Sequence, residues 1–492
     1  MLAAVVAELS KTEEDVINEA VQLLDSFHTK RLHYDAPNKQ FSLLDGPVEL
    51  HARDPLSKVE MYRQRYALIH QRVLRNELFR KGLRSSLSNS NVISLTPVES
   101  LVGRGSSSSS GSLSRRNFFL LGMIVQMDDF HYYLEDLTSS SIRMDLSEAV
   151  LLGEGYVTEG CIVLVEGYVM DGTLHVKSIG HPPSETRNDA VNVIGYQNTD
   201  LFDAVGSYAD HEQLLEQEAQ CGMDSMFVIL SDVFLDLNDV MLKLKIMFDA
   251  YQHFDPLPIF VFMGNFSSVP FTYANGGVKK VMGYFEELGN VICEYPSLAK
   301  DARFIFVPGP KDPGNSTPIS PRPPIPSLFS ASLRQKVSHA TFTSNPCRIR
   351  FFSREIVLSR NDIIHKMKKY SLFSNEKNDL DGDRGKSYAH TIIDQGHLCP
   401  LPMNYNPIYW QHDQSLRLYP LPHTIIAGDN YRQYSMEKCN CQVVNPGSFA
   451  KDWSFVVYRP VGEELTQSGR SVDSGTQQKA VLDGTIEFSR ID

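Results

Sequence analysis

The sequence predicts an α+β protein in which a small closed β-barrel precedes a larger domain of alternating strands and helices. The length of 492 residues suits roughly three domains, on a soft prior of about 150 residues each. Short strand-like segments follow one another closely in residues 117–180, which is typical of a barrel. From Met226 onward, wholly apolar segments alternate with amphipathic ones. This second pattern is typical of strands that are covered on both faces.

Composition and charge exclude several classes of protein. The longest apolar run, residues 118–125, is far too short to span a bilayer, and the N-terminal MLAAVVAEL lacks the basic region of a signal peptide. We therefore expect an intracellular protein with no membrane partner. The formal net charge of -12 argues against an unaided grip on a phosphate backbone, which normally requires a basic face. Contact with DNA is expected only within a complex.

The cysteine and acidic residues do not predict a metal site. Seven cysteines, an odd number in a long chain, indicate reduced thiols rather than a disulfide framework. Cys439 and Cys441 offer two zinc ligands, but a structural zinc site needs four. Asp379, Asp381 and Asp383 resemble the start of a calcium loop, yet no Glu follows at the required spacing. We expect neither a metal nor another cofactor.

Residues 1–48 predict a short N-terminal helical segment followed by a hairpin. Thr12 and Asp15 have capping-box spacing. Apolar residues follow at helical intervals: Val16, Ile17, Ala20, Leu23 and Leu24. The hairpin is expected to turn around Pro37 and Asn38.

Residues 49–102 are expected to pack on the core, and residues 103–116 to link them flexibly to the barrel. A long, basic, amphipathic helix is predicted from Ser57. Its apolar positions suit docking on another domain: Met61, Ala67, Leu68 and Leu78. The stretch GRGSSSSSGSLSRR contains seven serines in 14 residues. It has too few apolar groups to bury a core.

Residues 117–183 are predicted to form a barrel of the OB type. Five β segments occur there, with Gly122 and Gly167 at points where a strand must bend sharply. Three aromatic residues suit stacking on the bases of a single strand: Phe130, Tyr132 and Tyr133. The neighbouring acids would repel a phosphate chain. A barrel that docks on protein is therefore the favoured interpretation.

Residues 184–492 predict strands that each end in a polar or Gly-containing turn. In such sheets, ligands bind at the carboxyl ends of strands, where the turns converge. The turns read SDVFLD, GNFSS, GPKDP, GHLCP, GDNY and NPGSF. In order and spacing they resemble the metal-binding loops of the calcineurin-like phosphoesterases. The resemblance implies a β-sandwich flanked by helices.

The first two loops resemble this pattern in position more than in chemistry. Asp232 keeps the first acid, whereas Phe234 occupies the place of the first His. Asn265 and Ser268 stand where carboxylates would be. We expect Asn265 and Ser268 to satisfy backbone groups in a tight turn, and Asp236 to be a helix N-cap.

The remaining loops also lack most of the implied ligands. Lys311 replaces a His while Asp312 is retained, His397 matches a lone His, and Asp429 opens the stretch that replaces G-H-x-H. Two divalent ions need several anionic or imidazole donors to offset their mutual repulsion. We expect no catalytic residue and no bound metal, with His397 hydrogen-bonded in the domain interior.

An OB-type barrel followed by an inactivated phosphoesterase domain resembles the B subunits of eukaryotic replicative DNA polymerases. Several motifs are similar to the epsilon branch of that family: MYRQRYALIHQR, LTPVESLVG, the VPGPKDPG and PRPPIP run, NPCRI, GHLCPLP and NPGSF. The resemblance implies a non-catalytic accessory subunit in the nuclear replication machinery. Its implied partner is the C-terminal domain of the catalytic subunit of DNA polymerase epsilon.

A second partner and two rival functions follow from the same residues. The family usually has a small N-terminal helical domain implicated in tethering to the GINS part of the replicative helicase. This chain is expected to start within or just after that domain, which weakens the tethering assignment. An active metal-dependent phosphoesterase with unusual ligands is one alternative. A free single-strand-binding protein is the other, which the acidic charge disfavours.

Overall fold

The computed structural model describes residues 20–46, 48–50, 54–79, 93–102, 116–138, 140–202, 207–222, 224–314, 319–373, 384–461 and 484–491. The predicted linker lies outside these residues except for Arg116, as do Asp379, Asp381 and Asp383. The mixed α and β class is confirmed. Within the described part of the chain, no helix combines the length and the apolarity needed to cross a bilayer.

The first described strand lies where the sequence predicts the end of a helix, whose residues Thr12, Asp15, Val16 and Ile17 lie outside the described residues. Strand β1 (Val21–Asp25) pairs antiparallel with residues Cys347–Phe351. The helix prediction is therefore wrong for Leu23 and Leu24. A short apolar run does not distinguish the two structures. The open edge of a distant sheet supplies the backbone partners that decide between them.

The predicted hairpin and long helix are confirmed. Strands β2 (Arg31–Asp35) and β3 (Gln40–Leu44) pair antiparallel around the predicted turn. Helix α1 (Leu56–Arg75) follows. Met61, Ala67 and Leu68 are buried as expected, whereas Leu78 lies beyond the helix end and is 60% exposed.

Helix α1 joins the barrel to the second domain. On one side, the Tyr66 hydroxyl donates to the Leu121 carbonyl at 2.8 Å. On the other, the Arg65 guanidinium pairs with the buried Asp413 carboxylate, and Arg72 donates to the Asp394 carbonyl. The basic residues of this helix therefore serve internal packing as well as solvation.

The barrel forms a single closed sheet. Its strands are β4 (Phe118–Asp128), β5 (His131–Glu135), β6 (Ser141–Asp145), β7 (Val150–Leu152), β8 (Ile162–Met170) and β9 (Thr173–Gly180). Their order is β6-β5-β4-β8-β9-β7, and an extra β6–β9 pairing closes the ring. The five predicted segments are confirmed. Strand β7 was missed because its three residues are largely exposed and carry no alternating pattern.

Both glycines singled out in the barrel lie where no side chain fits. A Cβ on Gly122 would lie 2.4 Å from Leu134 Cγ, and one on Gly167 would lie 2.4 Å from the His175 carbonyl oxygen. The ladder between β8 and β9 also shifts register at Gly167. Close backbone approach at a bend explains the choice of glycine.

The second domain contains two sheets and the helices around them. Its strands are β10 (Phe227–Ser231), β11 (Ile259–Met263), β12 (Arg303–Val307), β13 (His339–Phe342), β14 (Cys347–Phe351), β15 (Arg354–Arg360), β16 (Thr424–Gly428), β17 (Tyr434–Lys438), β18 (Cys441–Asn445), β19 (Ser454–Arg459) and β20 (Thr485–Arg490). Its helices are α2 (Arg187–Ile194), α3 (Tyr196–Thr199), α4 (Tyr208–Cys221), α5 (Asn238–Tyr251), α6 (Gly277–Cys293), α7 (Pro296–Lys300), α8 (Ser327–Lys336), α9 (Ile364–Lys369), α10 (Arg384–Gln395) and α11 (Phe449–Asp452).

The two sheets pack face to face. One has the order β1-β14-β15-β16-β18-β17, which we call the first sheet, and the second sheet has the order β13-β12-β11-β10-β19-β20. Buried apolar residues of both fill the space between them, with Phe227 and Phe351 meeting edge to face at 5.6 Å. Helices α5, α6 and α8 cover the outer face of the second sheet, and α9 and α10 that of the first. The result is a sandwich between helical layers.

The barrel packs directly on the second domain through buried hydrogen bonds. The Gln395 side chain of α10 accepts from the Ile162 backbone N–H at 2.9 Å and donates to the Ile162 carbonyl at 2.8 Å. Thr391 Oγ1 accepts from the Tyr156 backbone N–H at 2.7 Å. The two domains therefore pack together through buried polar contacts.

We predict that Gln395→Ala lowers the free energy of unfolding by about 1–3 kcal/mol for each buried backbone group left unpaired. Urea unfolding of the whole chain measures this loss. The control is Gln217→Ala at an exposed position of α4, for which we expect no loss. Equal stability of the two variants would mean that Gln395 does not join the domains.

Candidate functional site

Charged and amide side chains from both sheets meet where their strands end. Asp232 follows β10, Asn265 follows β11 and Asp312 lies in the turn after β12, all in the second sheet. Arg360 is the last residue of β15 and Asp429 follows β16, in the first sheet. The strands within each group run parallel. This edge of the sandwich is therefore a site of converging turns.

A buried ion pair lies at the centre of the site. Arg360 Nη2 donates to Asp232 Oδ1 at 2.6 Å, and the two residues are 1% and 2% exposed. The same carboxylate oxygen accepts from the Asn265 backbone N–H at 3.2 Å and from Asn265 Nδ2 at 3.1 Å. One oxygen of Asp232 is thus bound by three donor groups of the protein itself.

Arg360 also contacts a second carboxylate, Asp362. Its Nη1 donates to Asp362 Oδ1 at 2.6 Å. Burial alone would lower the pKa of Arg360, but the carboxylates of Asp232 and Asp362 raise it overall. The guanidinium is a permanent internal cation. Sequence reasoning missed it, although an arginine shortly after the apolar run Ile356, Val357 and Leu358 was a usable signal.

The turns after β11 and β12 are tied to each other through side chains. Asn265 Oδ1 accepts from the Lys311 backbone N–H at 2.8 Å. The two oxygens of Asp312 accept from the backbone N–H groups of Phe266 and Gly309, each at 2.7 Å. Asn265 therefore satisfies a backbone group as predicted, but that group belongs to the turn after β12 and not to its own turn.

Two buried acids of the site have raised pKa values. Burial raises the pKa of Asp312 to about 6, although its backbone hydrogen bonds act in the opposite direction. Burial likewise raises the pKa of Asp429 to about 6. Asp429 Oδ2 accepts from the backbone N–H groups of Ile363 at 2.7 Å and Ile364 at 3.0 Å. Both carboxyl groups serve loop geometry.

Asp236 corrects one sequence prediction. It is not the N-cap of α5, because the capping position is Leu237, which makes no side-chain cap. Asp236 instead accepts from the Ser268 backbone N–H at 2.9 Å and from the Ser268 hydroxyl at 2.6 Å. The prediction for Ser268 is also corrected, because its hydroxyl binds a carboxylate of the preceding loop and not a backbone group of its own turn. Phe234 lies nearby, half-buried against the apolar layer outside the second sheet.

His397 lies in a separate network under α1. Its Nδ1 accepts from the Cys399 backbone N–H at 3.0 Å, and its Nε2 donates to Asp413 Oδ1 at 3.2 Å. Arg65 and Arg417 bind the same Asp413 carboxylate. The expected interior hydrogen bonding of His397 is confirmed. Within the described contacts, none connects His397 to Asp232, so this structure does not bring it to the site.

Metal-binding groups do not assemble among the described residues, where no cluster of three or more His, Cys, Asp or Glu side chains could hold an ion. Cys439 lies beside the Ser184 hydroxyl at 3.2 Å. Cys441 is buried, and burial raises the pKa of its thiol. The environment of Cys441 therefore disfavours the thiolate that zinc requires.

The barrel aromatics differ in exposure. Phe130, at the turn between β4 and β5, is 91% exposed. Tyr132 packs against the barrel core, and the Tyr133 hydroxyl donates to Asp128 Oδ2 at 3.3 Å. A stacking platform needs several free ring faces. Of these three rings, the structure leaves only that of Phe130 almost fully exposed.

Known proteins match this chain over most of its length. A family model for the B subunit of DNA polymerase alpha/epsilon matches residues 227–436, and one described as DNA polymerase epsilon subunit 2-like, OB-fold domain matches residues 55–183. The DNA polymerase epsilon B subunit of Arabidopsis thaliana is 36% identical, with 91% of this chain and 83% of the relative covered. The chain belongs to the DNA polymerase epsilon B-subunit family.

Other members of the DNA polymerase epsilon B-subunit family are also similar to this chain over most of its length. DNA polymerase epsilon subunit 2 of Homo sapiens is 34% identical, with 95% of this chain and 87% of the relative covered. The DNA polymerase epsilon B subunit of Saccharomyces cerevisiae is 29% identical, with 88% and 72% covered. A solved structure of an archaeal phosphodiesterase overlaps with a TM-score of 0.24 and 11% identity, over 47% of this chain and 92% of that one. That likeness is too low to support a conclusion.

The two family models match different parts of this B-subunit sequence. The model for the OB-fold domain begins at residue 55 and so includes α1 as well as the barrel. The alpha/epsilon B-subunit model covers all the predicted site positions, together with Arg360. The domain boundaries at 48, 102, 116 and 183 stay predictions.

We predict that His397 makes the stability of this B-subunit family member fall in acid. Burial lowers the pKa of His397 to about 4, below its ordinary value of about 6.5. The folded state therefore binds the proton more weakly than the unfolded state, and stability falls as the pH drops from about 6.5 towards 4. The full effect is about 3 kcal/mol.

Urea unfolding between pH 7.5 and pH 4.5 tests this prediction against His397→Asn, whose amide oxygen can still accept from the Cys399 N–H. The stability difference between wild type and variant should shrink as the pH falls. A difference that is constant across the range would contradict the prediction.

Proposed function

We propose that this chain is the non-catalytic accessory subunit of DNA polymerase epsilon, and that it holds the catalytic subunit in the nuclear replication machinery. The observation that carries the proposal is the extent of similarity, since relatives named as this subunit cover 91% and 95% of the chain. Both the barrel and the sandwich lie within the matched length. The formal net charge of -12 supports a role in which DNA is reached only through the complex.

The sandwich is best interpreted as a calcineurin-like phosphoesterase domain that has lost its activity. Its turns follow the order of that family's metal loops, and the turns that contain Asp232, Asn265, Asp312 and Asp429 lie at the strand ends described above. The donors that remain are committed elsewhere. Asp312 and Asp429 bind backbone N–H groups, and Asp232 binds Arg360 and Asn265.

Arg360 supports loss of metal binding more directly than any missing ligand. Its guanidinium contacts both Asp232 and Asp362 at 2.6 Å, so a fixed positive charge occupies the space between two acids. A divalent ion approaching these carboxylates would meet that charge at short range. The alternative of an active phosphoesterase would require Arg360 to leave a fully buried position.

We predict that the purified protein does not hydrolyse bis-p-nitrophenyl phosphate, even with excess Mn²⁺. An active metallophosphoesterase measured in parallel serves as the positive control. Turnover that disappears in Asp232→Ala would contradict the proposal, because it would show that the acid still takes part in catalysis.

The barrel and sandwich offer a composite surface for the catalytic subunit. They are held together by α1 and by the buried contacts of Gln395 and Thr391, which favours a fixed relative orientation. A permanent interface of this kind buries on the order of 2,000 Å² or more. We assign the C-terminal domain of the epsilon catalytic subunit to this surface. Exposed apolar residues of the barrel, including Phe130 and Val150, support docking on protein.

We predict that the chain co-elutes with the C-terminal domain of the epsilon catalytic subunit after co-expression and gel filtration. The corresponding domain of the delta catalytic subunit is the matched control, and we expect it to elute separately. A soluble monomer that fails to bind the epsilon domain at micromolar concentration would refute the assignment.

A further inference from the structure

A cavity of about 170 Å³ opens beside the site described above. It lies between the loop that follows β11, the first two turns of α6 and the loop that follows β12. Its walls are mainly apolar, and they include Phe266, Phe271, Val281 and Tyr284. Apolar pockets with a few polar groups at the rim are the usual form of a binding site.

The polar part of the cavity is positively charged. Lys280 of α6 and Lys311 of the loop after β12 both line it. Asp312 is the acid in the lining, and its two oxygens already accept from backbone N–H groups. In a chain with a net charge of -12, this is a local surface that attracts an anionic group.

The cavity is large enough for one side chain. A cavity of about 150 Å³ lined by apolar residues accepts benzene, so this one suits a single aromatic ring or a branched aliphatic group. We propose that it is a docking site for a segment of a partner protein, which inserts one large apolar side chain here and places a carboxylate against Lys280 and Lys311. Partner segments commonly bind through one buried anchor of this kind.

A protein segment fits these features better than a nucleic acid. Single strands bind along basic grooves, with successive bases stacked on exposed aromatic faces. Here Phe266 is only 2% exposed and forms part of an enclosing wall. The rim continues into Val269 and Tyr273, which are 61% and 71% exposed. They extend the apolar contact on which a peptide can lie.

The cavity lies away from the barrel. Helix α6 belongs to the layer that covers the second sheet, whereas the barrel contacts α10 in the layer over the first sheet. A segment bound in the cavity would therefore occupy a different face from the barrel contact. The inference goes beyond the proposed function and does not depend on it.

The test is to pan a phage-displayed library of random 12-residue peptides against the full chain. Counter-selection uses the double variant Lys280→Glu and Val269→Glu, whose changes lie at exposed positions. We expect enrichment of sequences with Phe, Trp or Leu beside Asp or Glu. Absence of enrichment, or enriched sequences without acids, would overturn the proposal.

Affinities of the enriched peptide then decide the specificity of the site. Fluorescence anisotropy should show at least fivefold weaker binding to Lys280→Glu, and a change below twofold for Lys279→Glu, an exposed neighbour outside the lining. Equal losses in both variants would indicate non-specific attraction and overturn the proposal. Displacement of the peptide by a 12-residue oligothymidylate would identify a nucleic-acid site instead, which would also overturn it.

Discussion

The ion pair between Arg360 and Asp232 joins the two sheets of the sandwich at the edge where the strand-end turns converge. Each partner comes from a different sheet, and each is almost completely buried. Burying a charge costs several kcal/mol unless it is paired and hydrogen-bonded. Removing one partner of such a pair costs about 3–5 kcal/mol. The turns after β10, β11, β15 and β16 are therefore constrained to positions in which both charges stay satisfied.

This constraint explains how acids can be retained at strand ends in a protein proposed to lack catalysis. Asp232 balances a guanidinium, Asp312 binds two backbone N–H groups and Asp429 binds two more. Each carboxyl group thus has a structural partner that its loss would leave unsatisfied. The presence of an acid in such a turn is weak evidence for activity, because the same residue types stabilise the loops themselves.

Local patterns predicted the parts of the fold that depend on local physics. The helix from Leu56, the hairpin around Pro37 and the barrel segments all follow from periodicity and turn residues. Local sequence patterns did not predict the contacts between distant segments. The strand at Val21–Asp25 has the edge of a sheet more than 300 residues away as its partner, and the partner of Asp236 is Ser268 rather than its own helix.

In the candidate site, too, local patterns predicted some residues, whereas the residues that depend on distant contacts were missed or misplaced. The sequence located the strand-end turns containing Asp232, Asn265 and Asp312, because polar turns after apolar strands are a local signal. It did not reveal that Arg360 fills the centre, or that His397 belongs to the network of Arg65 and Asp413. These pairings depend on how two sheets and α1 come together.

The pairing of β1 with β14 has a further consequence for synthesis, because β1 leaves the ribosome long before its partner. Strand β1 cannot pair until residues 347–351 have emerged, and until then it lacks a cover against association with other chains.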